Sequence, residues 1–313
     1  MENILQERKE LLKGKRVARA KERLFLWSII IYQVVNFIIF YVVLNFNSIL
    51  LSFQKIDPKT FEVSWVGLDN YVHFFKTFAT AGNDYWNALK NSLISYGVSI
   101  GFSLPVGIFF AFYVYKKAIG SGAFRFIVMI PTILSGMVVG LMFKRFMYAL
   151  PGFMNNTLGF KNFPELMSDP KWTFFTTVYY GIWHGFASAV IYYSNAMNTI
   201  DDEIVESAQL DGITYLKELW LISLPMIMPT LTTFLVTGFA DILSEQGPLY
   251  LFWAYDAPRE TYRWGYLIFQ ATMKDGQAVY PRVAAIGIIS TLVMFPLTML
   301  VKKGLEKLDP MSD

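Results

Sequence analysis

The sequence predicts an all-α integral membrane protein with six transmembrane helices. Three observations support this fold class: hydrophobic residues make up 54% of the 313 residues, charged residues make up only 16%, and long apolar runs recur along the chain. A solvated globular domain cannot bury so large a share of apolar surface. A helix that rises roughly 1.5 Å per residue needs about 20 apolar residues to cross a bilayer core, and the runs have this length.

The first predicted span runs from Leu24 to Phe53. It follows residues 1–23, a segment too long and too charged for a cleavable signal peptide, so the span is expected to remain as an anchor. Five further spans are predicted, at Leu89–Tyr115, Phe124–Met147, Trp172–Met197, Pro225–Trp253 and Val283–Val301. Several contain Gly or Pro, which bundle helices tolerate when neighbours satisfy the freed backbone groups. Residues 24–302 are therefore predicted to form one six-helix domain.

Basic residues next to the spans predict the orientation in the membrane. Cytoplasmic segments carry an excess of Lys and Arg, and residues 1–23 contain Arg8, Lys9, Lys13, Lys15, Arg16, Arg19, Lys21 and Arg23. This N-terminal segment is therefore predicted to be cytoplasmic. Six spans return the tail, residues 303–313, to the same side, where Lys302, Lys303 and Lys307 flank the last span.

The residue inventory disfavours several functions. The chain has no Cys and only two His, His73 and His184, so thiolate, iron–sulfur and most zinc chemistry lack ligands. No catalytic residue or metal site is predicted, although an aspartate-based membrane enzyme stays open. The net charge of +3 resides mainly at the N-terminus, which argues against nucleic-acid binding. An ion-coupled secondary carrier is a further alternative, but neither internal repeats nor paired intramembrane charges are clear.

Residues 199–224 form an unusually long connection between the fourth and fifth spans. Thr199 and Asp202 are predicted to cap a short helix, and Gly212 suits a left-handed stop at its C-terminal end. A second amphipathic stretch, Ile213–Leu221, precedes Pro225. Two short helices that meet at a Gly can dock into a groove on a soluble partner or lie on the membrane surface. The residues alone leave both interpretations open.

The connection resembles the EAA loop of binding-protein-dependent ABC importer permeases. The residues at matching positions are Glu206, Ala208, Asp211, Gly212, Ile222, Leu224, Pro225 and Pro229. Ser207 replaces one Ala of the motif, and Ile213 stands where a small residue is usual. Further similar stretches are VGLDNYVHFF from residue 66, NSL from residue 91, PTILSGMVVGLMFK from residue 131 and Gln246-Gly247-Pro248. The chain is similar to the sugar type, to which maltose permease subunits belong.

The resemblance implies a type I ABC importer transmembrane fold in a bacterial inner membrane. This chain would be one permease half, paired with a second homologous permease, two ATPase subunits and an extracellular sugar-binding protein. The ATPase-coupling residues would be Glu206, Ala208, Asp211, Gly212 and Pro225. No G-x-x-x-x-G-K-[ST] loop is present, so ATP and Mg²⁺ are expected on the ATPases and no cofactor in this chain. Exposed segments 54–86, 148–171 and 255–280 would form the platform for the binding protein.

A saccharide site needs aromatic faces and hydroxyl-bonding groups within the bundle. Trp183, His184, Ser188 and Tyr192 lie near one face of the fourth span, and Thr233, Thr237 and Asp241 recur every four residues on the fifth. The family places substrate contacts on these two helices. The expected substrate is therefore a mono- or oligosaccharide, with a non-sugar solute as the alternative.

Overall fold

A computed structural model describes residues 21–80 and 82–308. Most of the predicted basic segment, residues 1–20, and the end of the tail, residues 309–313, lie outside the described residues. The helices are α1 Lys21–Leu51, α2 Asp69–Ala79, α3 Asp84–Tyr115, α4 Ser121–Ile133, α5 Gly136–Asn156, α6 Pro170–Met197, α7 Asp202–Leu210, α8 Tyr215–Met226, α9 Met228–Leu243, α10 Leu249–Trp253, α11 Trp264–Lys274 and α12 Tyr280–Glu306. One antiparallel hairpin, β1 Gln54–Ile56 and β2 Val63–Trp65, follows α1.

The helical class is confirmed, and the described residues contain several membrane-spanning helices. Four are long and apolar enough to cross a bilayer: α1, α3, α5 and the segment Gln277–Glu306 that contains α12. The bent pair α8 and α9 makes up to five. Helix α6 has 28 residues, which is long enough to span, but its Thr, Tyr, Ser and His residues make it less apolar. The chain is thus a multi-pass membrane protein.

The predicted third span, Phe124–Met147, is wrong as one continuous helix. The chain leaves the helical conformation at Leu134 (ψ 151°) and Ser135 (ψ 128°), which separates α4 from α5. Pro131 lacks the amide that would bond one turn back, and Ser135-Gly136 favours a helix start over a helix interior. At 13 residues, α4 is about 20 Å long and too short to cross a bilayer alone.

The predicted fifth span, Pro225–Trp253, is also wrong in its bounds. Helices α8 and α9 meet at Ile227 with a bend of 69°, and α8 runs through Pro225 without stopping there. Pro229 lies in the first turn of α9, where its missing amide has no cost. The span ends at Leu243, and a left-handed Gly247 (φ +62°) separates it from α10.

Helices α3 and α6 form the centre of the bundle. They pack closely because Gly107 leaves room for the Ala189 side chain; a Cβ at Gly107 would lie 3.1 Å from that of Ala189. Ala111 of α3 and Val190 of α6 are also buried. By contrast, α1 is exposed along nearly all of its length, and its last turns contact α12. Such an apolar, exposed helix is the expected state of a lipid-facing span.

The end of the bundle that carries the hairpin is tied together by polar and aromatic contacts. The buried Asn70 of α2 donates to the carbonyls of Ser52 and Gln54, both at 2.8 Å. The Trp264 ring lies 6.1 Å from that of Phe74, and its Nε1 donates to Ser290 Oγ at 2.9 Å. The two hydrogen bonds that Asn70 donates account for the Asn in the VGLDNY stretch.

Candidate functional site

A polar cavity of about 280 Å³ lies between α3, α6 and α9. Helix α3 lines it with four serines spaced three or four residues apart, which places them on one helical face. The full lining is Ser92, Ser95, Tyr96, Ser99, Ser103, Val178, Gly181, Ile182, Gly238, Asp241, Ile242, Glu245 and Arg263. Residues Ser99–Ser103 form a π-helical turn, a feature that is frequent at functional sites.

Arg263 is the buried cation of the cavity. Its side chain is 5% exposed, and its Nη1 donates to Glu245 Oε2 at 2.8 Å. The guanidinium fits because Gly247 has no side chain; a Cβ there would lie 2.7 Å from Arg263 Cζ. Arg263 Nε and the Ser95 hydroxyl are buried without a hydrogen-bond partner. Since a buried unpaired polar group is costly, both are groups that a bound polar ligand would satisfy.

The NSL stretch of α3 holds the segment that carries Arg263. Asn91 Nδ2 donates to the carbonyls of Glu260 and Tyr262 at 2.8 and 2.9 Å. Ser92 Oγ accepts from the backbone N–H of Trp264 at 3.0 Å. The three bonds each span more than 160 residues of sequence, and together they place Arg263 beside the Ser92 end of the serine face.

The cavity can bind hydroxyl-rich molecules through hydroxyl, carboxylate and guanidinium groups. The cavity lining contains no Cys and no His. Across residues 21–80 and 82–308, no three His, Asp or Glu side chains are grouped so as to hold a metal ion.

The seven predicted substrate residues do not meet at one place. Asp241 lines the polar cavity. Trp183 instead lines a separate apolar cavity and stacks on Phe143 at 5.7 Å. His184 stacks on Tyr180 at 5.4 Å, and Tyr192 contacts Phe234 at 5.2 Å. The remaining three residues, Ser188, Thr233 and Thr237, are not part of the polar lining either.

Thr233 and Thr237 bond their own helix. Their hydroxyls donate to carbonyls four residues earlier, at 2.9 and 2.8 Å, which is the usual outcome for Thr within a helix. The sequence interpretation missed the α3 serines, Glu245 and Arg263. The serine spacing was a usable signal, because four hydroxyls at intervals of three and four in an apolar span must share a face.

The connection at 199–224 folds into α7 and the start of α8. The prediction of Thr199 and Asp202 as caps is wrong: the N-cap is Asp201, whose carboxylate accepts from Glu203 N at 3.1 Å. Thr199 is still in the preceding turn, where its hydroxyl donates to Ala196 O at 2.8 Å.

Gly212 ends α7 in the left-handed conformation (φ +77°), as predicted. Its N–H donates to Gln209 O at 3.0 Å, and Ile213 N–H donates to Ala208 O at 3.1 Å. These two bonds form a Schellman motif. The motif reverses the chain between α7 and α8 and leaves the turn itself exposed.

Helix α7 is anchored on one side and exposed on the other. Val205 is 6% exposed and packs with Phe112 of α3 and Met197 of α6. The opposite side carries Glu206 and Leu210, and Leu210 is 89% exposed. We name the exposed surface formed by Glu206, Leu210, Asp211, Tyr215 and Leu216 the knob.

The described residues thus form a multi-pass membrane protein with an internal polar cavity and an exposed two-helix knob. Residues 103–308 match the family described as the binding-protein-dependent transport system inner membrane component. The chain belongs to this family, and the predicted resemblance is thereby confirmed.

Similar proteins include the multiple sugar-binding transport system permease protein MsmF of Streptococcus mutans, 25% identical over 85% of this chain and 92% of that protein. The arabinooligosaccharides transport system permease protein AraP of Bacillus subtilis is 27% identical over 86% of this chain and 85% of that protein. A chain of a bacterial ABC transporter that imports alginate shares the fold, with a TM-score of 0.76, 22% identity, and coverage of 92% of this chain and 96% of that chain.

Proposed function

We propose that this chain is the permease subunit of an ATP-driven, binding-protein-dependent carbohydrate importer in a bacterial inner membrane. It crosses the membrane six times, with α4 and α5 forming the third crossing, α6 the fourth and α8 with α9 the fifth. Both termini are cytoplasmic. It forms half of the translocation pathway and does not itself hydrolyse ATP.

The polar cavity carries this proposal. Ser95, Ser99, Asp241, Glu245 and Arg263 surround a volume that suits one or two sugar rings, and two of its buried polar atoms lack a partner. Hydroxyl and charged groups that converge inside an apolar bundle are costly unless they bind something polar. The similar proteins MsmF and AraP are named for sugar transport, which supports a saccharide as the substrate.

The partners follow from the family and from the surfaces of this chain. A second homologous permease completes the pathway, and two ATPase subunits bind ATP and Mg²⁺. A sugar-binding protein docks on segments 54–86, 148–171 and 255–280; one related alginate transporter was solved with a pentasaccharide-bound periplasmic protein.

In segment 255–280, Lys274 Nζ contacts Asp256 Oδ1 at 2.6 Å, and this hydrogen bond raises the pKa of Lys274.

The knob is the coupling surface in this proposal. Its exposed Leu210 and Leu216 enter a groove of the ATPase, while Glu206 and Asp211 pair with basic groups at the rim. Ala208 and Gly212 keep the turn compact, and Pro225 stiffens α8 ahead of the bend. Movement of the ATPases would then tilt the spans and alternate access to the cavity.

The test is co-purification and ATP hydrolysis of the complete importer in nanodiscs. The wild-type complex is expected to retain its ATPase subunits and to hydrolyse ATP faster when binding protein and an oligosaccharide are added. Glu206→Ala and Gly212→Pro should each reduce this stimulation at least fivefold. Glu306→Ala is the matched control, because Glu306 is an exposed acid at the end of α12, outside the knob, the cavity lining and the three platform segments.

Three outcomes are informative. Loss of stimulation in the knob variants alone supports the coupling role. If a non-carbohydrate solute stimulates ATP hydrolysis instead, that solute replaces the sugar as the proposed substrate. If no ATPase co-purifies and both variants transport normally, an ion-coupled carrier becomes the better account.

A further inference from the structure

A buried ion pair joins α3 to the segment that carries the knob. Lys116, directly after α3, places Nζ at 2.8 and 3.0 Å from the two carboxylate oxygens of Glu218 in α8. The Glu218 side chain is 2% exposed and that of Lys116 is 15% exposed. In every other ion pair among the described residues, at least one side chain is 50% exposed or more.

Aromatic rings enclose the Lys116 ammonium. The Tyr115 and Tyr215 ring centroids lie 5.5 and 5.6 Å away, and that of Phe112 lies 6.0 Å away. Tyr215 belongs to the knob, so the cation contacts both the span and the exposed surface. Rings at this distance attract a cation, most strongly where water is excluded.

The two joined helices lead to different parts of the molecule. From Lys116, α3 runs back to the serines of the polar cavity through the π-helical turn Ser99–Ser103. From Glu218, α8 continues through a second π-helical turn, Leu219–Ser223, to the bend at Ile227. Single π-helical turns within α-helices are frequent at functional sites. The ion pair lies between two such turns, one on each helix.

We propose that the Lys116–Glu218 pair transmits movement of the knob to α3, and through α3 to the polar cavity. A buried carboxylate and ammonium separate only at high cost, so displacement of α8 moves the end of α3 with it. Lys116 and Glu218 are positioning residues that touch neither substrate nor nucleotide. This inference rests on the proposed coupling function of the knob.

The experiment uses cysteine labelling of the cavity, since this chain contains no Cys of its own. In the complete importer in nanodiscs, Ser99→Cys is labelled with a water-soluble maleimide, with and without ATP, Mg²⁺ and vanadate. The ATP-dependent change in labelling rate reports access to the cavity. ATP hydrolysis and the yield of co-purified ATPase are measured on the same samples.

Lys116→Met and Glu218→Gln should each reduce the ATP-dependent change in labelling at least fivefold, while ATPase yield and basal hydrolysis stay within twofold. Lys116→Arg, which can still bond both carboxylate oxygens, should retain most of the change. Lys302→Met is the control, because its pair with Glu306 is half exposed and 3.6 Å long.

An unaltered labelling response in both single variants would overturn the inference. So would a parallel loss of ATPase yield in those variants and in Lys116→Arg, because the pair would then serve assembly alone. Failure of the ATPase to co-purify with the wild-type complex would contradict the proposed function instead. So would a labelling rate that does not respond to ATP in the complex that carries Ser99→Cys alone.

Discussion

Gly247 combines a left-handed backbone with a space filled by its neighbour. Its φ is +62°, and the Arg263 guanidinium occupies the region where a Cβ would point. Gly120 is also left-handed (φ +80°, ψ −2°), but the nearest atom to its Cβ position is the Tyr113 hydroxyl at an ordinary contact distance of 3.4 Å. Comparing an alanine variant at each of the two positions therefore separates the cost of backbone strain from the cost of a steric clash.

Gly247→Ala is expected to impair the importer far more than Gly120→Ala, because Gly120 lies outside the cavity, the knob and the platform segments. Each variant pays about 1–2 kcal/mol for a left-handed non-glycine residue, but only Gly247→Ala displaces Arg263 from Glu245. Sugar-stimulated ATP hydrolysis should fall at least fivefold for Gly247→Ala and less than twofold for Gly120→Ala. Equal effects would show that the Arg263 position is unimportant for the substrate.

Ser95→Ala is expected to weaken substrate binding without lowering stability. The Ser95 hydroxyl is buried and unpaired, so its removal relieves a cost of about 1–3 kcal/mol in the empty protein. The Tm in detergent, followed by size-exclusion chromatography after heating, should stay equal or rise. The sugar concentration for half-maximal stimulation should increase at least threefold.

Thr232→Val is the matched control for Ser95→Ala. The Thr232 hydroxyl is also buried and unpaired, but it lies outside the cavity lining. It should raise the Tm and leave the sugar dependence unchanged. A loss of sugar response in both variants would mean that the effect of Ser95 is not local to the cavity.

Single residues were predictable where local chemistry decides their conformation. Gly212 was predictable because it directly follows a short predicted helix, and a glycine at such a C-terminal end commonly adopts the left-handed conformation. The Arg263–Glu245 contact was not predictable, because it depends on Asn91 holding the Tyr262 backbone from α3. Likewise, nothing local distinguishes Asp201 from Asp202 as a cap; the choice follows from where α6 ends.

At the scale of elements, apolar runs predict the first and last spans well. These two predictions agree with α1 and α12 within a few residues, although Gly287 and Pro296 lie inside the last span. The third and fifth failed at Ser135 and Ile227, because hydropathy averages over a window and does not register where a helix breaks. Pro131 and Pro229 marked both regions, yet Pro105 lies within α3 without breaking it. Tertiary packing decides between these outcomes.

The short helix α10 docks on α5 at a notch made by Gly140. A Cβ on Gly140 would lie 2.6 Å from Leu251 Cγ, and the Phe252 ring stacks on Phe143 at 5.8 Å. Lys144 further donates to the Phe252 carbonyl at the end of α10. Because α10 immediately follows the Glu245–Gly247 segment, its position also sets that of the cavity rim.

Gly140→Ala is therefore expected to destabilise the chain, and Leu251→Ala to compensate in part. The added methyl forces Leu251 out, at a cost of about 1–3 kcal/mol, while Leu251→Ala alone leaves a void. The double variant should show a smaller loss of Tm than the sum of the single variants. Strict additivity would show that α10 does not dock at this notch. Gly304→Ala is the control, since its Cβ position is free.

At the scale of the whole molecule, the polar cavity of this chain has more acidic than basic side chains. Asp241, Glu245 and Arg263 are the acidic and basic side chains of the described lining. Arg263 already pairs with Glu245 at 2.8 Å, which leaves the Asp241 carboxylate without a cation in the cavity. The remaining polar groups are serine hydroxyls and Tyr96, which bond neutral hydroxyls well.

Uncharged oligosaccharides are therefore expected to be preferred over uronate oligomers of the same length. A substrate carboxylate about 4 Å from Asp241 meets a repulsion of about 1 kcal/mol at the dielectric constant of water and about 4 kcal/mol at an effective value near 20. Sugar-stimulated ATP hydrolysis should be at least fivefold more sensitive to maltotriose or arabinotriose than to trigalacturonate. Asp241→Asn should narrow this difference in sensitivity, and Glu306→Gln, which changes an exposed acid outside both the cavity and the platform segments, should not. Equal stimulation by trigalacturonate in the wild type would show that the substrate does not approach Asp241 and would move the binding site away from this cavity.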